Sequence, residues 1–294
     1  MADTSKKVVH TGLKKLNIPK SQYISIHDIS EFIFCPRRAQ YIRQENRIPI
    51  GKFIRQRWEY HNHETDNTLF ECFKETCKYS FIYRLRRGTK TGWSGVRSAL
   101  GIILSLRSKK GLDIPRDISP IVKLCQNYHK NYMNTIFAMP IHPNFPLITN
   151  IGRNPQGGGV VFMDILHAVG ISEKGYVVID FKMVPDAPAN YNTDLFFEDP
   201  TILTRLWAFH ECTGQKPYQY IVVYANPEKS STVKTFTLYP QNSKLLIEGE
   251  RNITYILRGC LQGINYPNRT EQNCASCPYK RKCYREKDND FLHR

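Results

Sequence analysis

The sequence predicts an α/β fold, helical in its first half and strand-rich after it. Three observations carry this expectation. Apolar residues recur at helical spacing over much of residues 25–137. Apolar runs bounded by turn residues fill residues 145–239 and read as strands. A helical pattern then returns over 242–259, before a tail, 265–294, that is dense in Cys, Lys and Arg. The chain has 294 residues, 41% of them hydrophobic, enough to bury a core as one large domain or two small ones.

Residues 1–20 are polar and Lys-rich and read as a loose arm. Ser25 is a candidate N-cap, with Asp28 three positions on, close to a capping box. Ile29, Phe32 and Ile33 follow at helical spacing. Pro36 disfavours helix at Cys35, so a second helix restarts over Arg37–Arg43. Residues 51–87 are helical in pattern, with Phe53, Trp58, Leu69, Phe73 and Phe81 facing inward. Residues 95–137 continue as helix, broken near Gly111 and Pro115. Residues 145–151 form the first strand candidate. Val160–Val169 and Gly175–Met183 form a hairpin around a Ser172–Gly175 turn. A Pro-rich loop spans 185–200. A helix starts at Pro200 and is closed by Gly214. Tyr218–Tyr224 and residues 232–239 are further strands, and no internal repeat is evident.

The balance of 42 Lys and Arg against 26 Asp and Glu gives a formal net charge of +16, which points to a polyanionic partner, nucleic acid first. The opening residues lack the apolar core of a secretory signal, and no stretch is apolar enough for a membrane span. A soluble cytoplasmic protein with no membrane partner is expected. In that compartment nine cysteines read as metal ligands or buried thiols before disulfides.

Three of these cysteines, Cys274, Cys277 and Cys283, stand within ten residues on the polar tail. A tail so poor in apolar residues needs a staple to hold against chain entropy. A structural metal group normally takes four thiolates, so a remote ligand is required. Cys35 is the best candidate, set in its own Cys-Pro break beside Arg37 and Arg38. An iron–sulfur cluster and zinc both accept such a set. A zinc ribbon would normally show two Cys-x-x-Cys knuckles, and this chain has one, which favours the cluster. Cys72, Cys77, Cys125, Cys212 and Cys260 lie in apolar or helical contexts and read as buried small residues.

The second constellation lies in the hairpin. Asp164 ends the run VVFMD; Asp180 ends YVVID, and Lys182 follows two positions later. Carboxylates at the ends of apolar strands need compensation, and a divalent cation between them would supply it. Period-2 geometry places Asp180 and Lys182 on one face. Two carboxylates, a metal and an ammonium are the parts needed for phosphodiester hydrolysis.

These motifs resemble the PD-(D/E)xK nuclease superfamily, and within it the RecB-like iron–sulfur exonucleases, above all the CRISPR-associated family that acts in spacer acquisition. The resemblance rests on Phe34-Cys35-Pro36-Arg37-Arg38, VVFMD, VVIDFK and CASCPYKRKC. It implies a restriction-endonuclease-like core, a mixed central sheet flanked by helices, in a single nuclease domain over 1–294. A helical insertion would occupy 65–140, the catalytic sheet 140–240, and an iron–sulfur tail, 265–294, would close on Cys35. It further implies a [4Fe–4S] cluster on Cys35, Cys274, Cys277 and Cys283. Mg²⁺ or Mn²⁺ would be held by His63, Asp164, Asp180 and the carbonyl of Phe181, with Lys182 catalytic. His61 competes with His63, because the segment Glu59-Tyr60-His61-Asn62-His63-Glu64 lacks the family's glycine. The implied substrate is DNA, at single-stranded ends, with CRISPR adaptation or repair proteins as partners. The family's Gln-x-x-x-Tyr pair is missing from the helix that follows the hairpin; Arg205 and Trp207 stand there as candidates for the same space.

Overall fold

Ser25 ends a short strand and starts a helix at once. The computed structural model describes residues 23–44, 67–87, 92–130, 139–154, 156–183, 199–226, 232–241, 243–261, 270, 274–275 and 277–290. The predicted arm, Phe53, Trp58, both candidate histidines, His61 and His63, and most of the Pro-rich loop lie outside the described residues.

Strand β1 (Tyr23–Ser25) leads into helix α1 (Ile26–Phe34). The Ser25 side chain accepts from the Asp28 N–H, and the Asp28 carboxylate accepts from the Ser25 N–H at 2.8 Å, so the capping box is complete. Cys35, in an extended conformation, separates α1 from helix α2 (Pro36–Gln44), as the Cys-Pro pair predicts. Arg43 reaches back from α2 to the Tyr23 carbonyl and to Asp28, tying both helices to β1.

Three helices follow: α3 (Asn67–Arg87), α4 (Trp93–Lys109) and α5 (Ser119–Tyr128). The chain then builds β2 (Met139–Arg153), β3 (Gly159–Ser172) and β4 (Gly175–Met183). Helix α6 (Pro200–Thr213) has Asp199 as N-cap and Pro200 in its first turn, and ends at Gly214 with φ +69°. Strands β5 (Gln219–Asn226) and β6 (Thr232–Leu238) precede helix α7 (Lys244–Ile256), which runs on into a π-helical turn, Leu257–Leu261. The tail ends in helix α8 (Lys280–Asp290).

The six strands form one mixed sheet in the order β1–β3–β4–β5–β6, with β2 also paired to β3. β1 pairs with β3, and β4 with β5, in parallel; β2–β3, β3–β4 and β5–β6 are antiparallel. A strand has two edges, and β2 follows one of them along nearly all of β3. β1 and β4 therefore share the other. β1 takes Val161–Met163 and β4 takes Ala168–Ser172. Between them the edge forks open at residues 164–167.

Each sheet face carries its own core. One packs Val178, Tyr220 and Val222 under α1, α6 and α7. The other packs Val177, Ile179, Phe181 and Val223 under α3 and α5, so residues 67–128 supply the helices of that face. Gly249 of α7 lies so close to α6 that an added Cβ would stand 2.3 Å from the Leu203 carbonyl oxygen and 2.5 Å from Trp207 Cβ.

Cys72, Cys77 and Cys125 are buried, as their contexts suggest. Cys212 differs: the last turn of α6 turns it outward, and its thiol donates to the Ile148 carbonyl at 3.3 Å. No helix among the described residues is long and apolar enough to cross a membrane.

Candidate active site

β3 starts with regular alternation. Val160, Phe162 and Leu166 face one core layer, and Asp164 is buried among them. The alternation then breaks. Ala168 faces the opposite layer, while Val169 returns to the first. Asn144 of β2, at φ +59°, stands at this point, between the pairs Pro143–Ala168 and Phe145–Leu166. The break lets His167 reach sideways across the fork to β4. There the Phe181 N–H donates to His167 Nδ1 at 2.9 Å.

β4 continues past the fork paired only with β5 on the register Asp180–Val222 to Met183–Ala225. Asp180 is wholly buried. On the strand's period of two it shares a face with Val178 and Lys182, the face covered by α6.

Arg205, from the second turn of α6, lies between the two aspartates. Its Nε donates to Asp164 Oδ2 and its Nη1 to Asp180 Oδ2, both at 2.6 Å. The Tyr220 hydroxyl donates to the same Asp180 oxygen at 3.2 Å. Burial alone would raise the Asp180 pKa. Arg205 and then His167 overrule it and hold the carboxyl far below the usual carboxylate range. Burial would likewise lower the Arg205 pKa, but Asp164 and Asp180 drive it well above the ordinary value. Burial, then the Asp180 charge, raises the Tyr220 pKa well above normal, so this phenol stays a neutral donor.

Asp180 Oδ1 is left without a hydrogen-bond donor, 2.5 Å from His167 Nδ1. That nitrogen can accept from Phe181 or, when protonated, donate to Asp180, and not both. The donor set, two buried carboxylates with one oxygen orphaned, fits a divalent ion in kind. Arg205 is the cation that meets both aspartates in this arrangement.

Lys182 does not join this pair. Its Nζ donates to Asp199 Oδ2 at 2.6 Å and approaches Thr201 Oγ1 at 3.5 Å. Asp199 Oδ1 meanwhile accepts from the Thr201 and Ile202 N–H groups as the N-cap of α6. Burial would raise the Asp199 pKa; Lys182, then Thr201, pull it below the ordinary value. Trp207 is buried in the core beneath α7.

The four predicted cluster cysteines lie where α2 begins and the tail returns. None is in a disulfide. Burial raises the Cys277 thiol pKa; the Tyr279 amide and Arg38 work against it, while Cys35 and Cys274 add to it. Three thiols therefore share one neighbourhood. Cys277 and Cys283 pack against Tyr41 and Tyr279, whose rings are 5.3 Å apart. Four unoxidised thiols suit a thiolate-bound group in kind. Among the described residues, however, no three His, Cys, Asp or Glu side chains close to metal-binding geometry.

Sequence alone did not single out His167, Tyr220 or Asp199. His167 depends on the break in alternation and Tyr220 on register with a distant strand. Asp199 left a signal, an Asp-Pro at a helix start.

No family model matches the chain, and no curated protein matches it. Among solved structures it is similar to a candidate exonuclease of Eubacterium rectale, at 12% identity over 96% of this chain and 93% of that one, with a TM-score of 0.49. The protein SSO0001 is similar at 15% identity over 93% and 91%, with a TM-score of 0.43. An alkaline exonuclease of Laribacter hongkongensis matches at 13% identity over 62% and 87%, with a TM-score of 0.24. What the site can do follows from its own residues.

Proposed function

We propose that the protein is a metal-dependent deoxyribonuclease, an exonuclease acting on single-stranded DNA ends and stabilised by a [4Fe–4S] cluster. The meeting of Asp164 and Asp180 on one buried face beside the fork, with Lys182 two residues further along, carries this reading. The charge of +16 suits a DNA partner. Spacer acquisition in CRISPR defence and DNA end processing are the roles such an enzyme would serve.

Asp164, Asp180, the Phe181 carbonyl and His63 would hold Mg²⁺ or Mn²⁺. Such an ion, when bound, would supply Lewis acidity toward a phosphate oxygen and toward an attacking water. Lys182, oriented by Asp199, stabilises charge on the phosphate as it develops. The Tyr220 hydroxyl donates to the Asp180 carboxylate and so favours its anionic form, the form a metal ion would need. Cys35, Cys274, Cys277 and Cys283 would hold the cluster and staple the tail to α2.

One observation favours a second reading, a nucleic-acid-binding module with weakened chemistry. Both cationic side chains of the site are already engaged, Arg205 by the two aspartates and Lys182 by Asp199.

A labelled single-stranded DNA digest with and without Mn²⁺, beside a visible spectrum and iron analysis, tests the proposal. The parent should cut only with metal, and Asp180→Ala and Lys182→Ala should each lose at least about a hundredfold in rate. A parent that binds DNA without cutting it favours the second reading. Asp180→Ala cutting like the parent would remove the site assignment, and a colourless, zinc-bearing protein would remove the cluster.

A further inference from the structure

We propose that Arg205 is a built-in counter-cation that competes with divalent metal for the Asp164–Asp180 pair, so that the free protein keeps this site closed to metal. The inference rests on the nuclease reading only for the kind of ion involved.

The observations are geometric. One guanidinium spans both carboxylates through Nε and Nη1, each at 2.6 Å. The rigid fork of arginine suits such a bridge, because it meets the two carboxylates through two separate nitrogens. All three side chains are almost wholly removed from solvent. Here charges interact strongly and cannot be screened by water.

Charge arithmetic sets the outcome. Two carboxylates and one guanidinium leave the centre one negative charge. A divalent ion added beside Arg205 would turn that into one positive charge in a buried place, with no third carboxylate bonded to Arg205 among the described residues. The same ion taking the guanidinium's bonds leaves the centre neutral. Binding therefore includes the cost of breaking two short charge-assisted bonds. The helix that carries Arg205 is pinned at its start by Asp199 and packed along its length by α7. The guanidinium is thus held on the aspartates by the whole element and not by its own bonds alone.

Mn²⁺ binding to the purified full chain, read by calorimetry and by the electron paramagnetic resonance of free Mn²⁺, tests this without any DNA or cleavage. Arg205→Gln should bind Mn²⁺ at least about tenfold more tightly than the parent. It should also melt earlier without metal and recover with Mn²⁺, while the parent's melting temperature hardly responds. Arg205→Lys, which keeps the charge and favours folding, should fall between the two. Asp180→Ala added to Arg205→Gln should abolish the gain, placing the ion at this pair. If neither Arg205 variant binds Mn²⁺ more tightly than the parent, the competition is wrong. The nuclease reading is judged separately. A parent that cuts DNA alongside unimproved Arg205 variants sinks only this inference. Improved binding in a protein that never cuts sinks only the nuclease.

Discussion

Asp199 holds two positions at once. One carboxylate oxygen caps α6, and the other takes the Lys182 ammonium. Its pKa is depressed against the pull of burial, chiefly by Lys182. A carboxyl with a depressed folded-state pKa adds stability above its unfolded value, about 3.9, and loses it as pH falls through the folded value. Asn keeps a capping oxygen but no charge. Asp199→Asn should therefore cost about 0.5–1 kcal/mol at pH 7, as partly exposed pairs do. Urea unfolding at pH 7, 5 and 3 checks the sign. The gap to the parent should hold from pH 7 to 5 and shrink at pH 3; a gap that widens in acid would contradict the pairing. Asp164 and Asp180 stand out in the sequence against apolar runs and meet through Arg205, whereas Lys182, which stands out likewise, is paired with Asp199 instead. His167 could not be read from the sequence, since strict alternation turns it away from the face that holds Asp180.

At the scale of elements, boundaries written in local chemistry were legible. The Ser25–Asp28 box, the Cys-Pro break and the Pro200 start and Gly214 end of α6 each appear where the sequence placed them. Elements that depend on distant partners were not. β1 is three residues long and exists by pairing with Val161–Met163. Helix α8 is too polar to show an apolar stripe. The contact of α7 with α6 was equally silent, because a glycine in a helical pattern gives no hint of what approaches it. Here the Leu203 backbone and Trp207 leave no room for a methyl group. Gly249→Ala should cost about 2–3 kcal/mol through overpacking, despite alanine's better helix propensity. Chemical unfolding measures it, and a neutral or stabilising result would mean that the two helices are further apart.

At the scale of the molecule, the described residues form a sheet with a helical layer on each face. Its first described strand borders the site, and the cysteines of its two ends share a neighbourhood. Most of the strands and helices themselves followed from apolar periodicity; their arrangement as a sheet between helices followed only from the family resemblance. The branching of β3 did not follow from periodicity, because periodicity records which face a residue takes and not which strand lies beside it. If a thiolate-bound group joins the ends, Cys277→Ala should lose the visible colour and at least about 2 kcal/mol of stability. Thermal melts of parent and variant, each with its iron content, check this. Equal melting temperatures would separate the cysteines from the fold.

The fork in β3 also makes that strand a ruler. β1 fixes its register on Val161–Met163, and β4 fixes its own on Ala168–Ser172. Asp164 is counted from the first anchor and His167 from the second. Substitutions between the anchors leave the count intact. Inserting or deleting one residue there would rotate one half of the strand against the other, carrying either Asp164 or His167 to the wrong face. Descendants of this chain must thus keep the length of that interval as well as the site residues it carries.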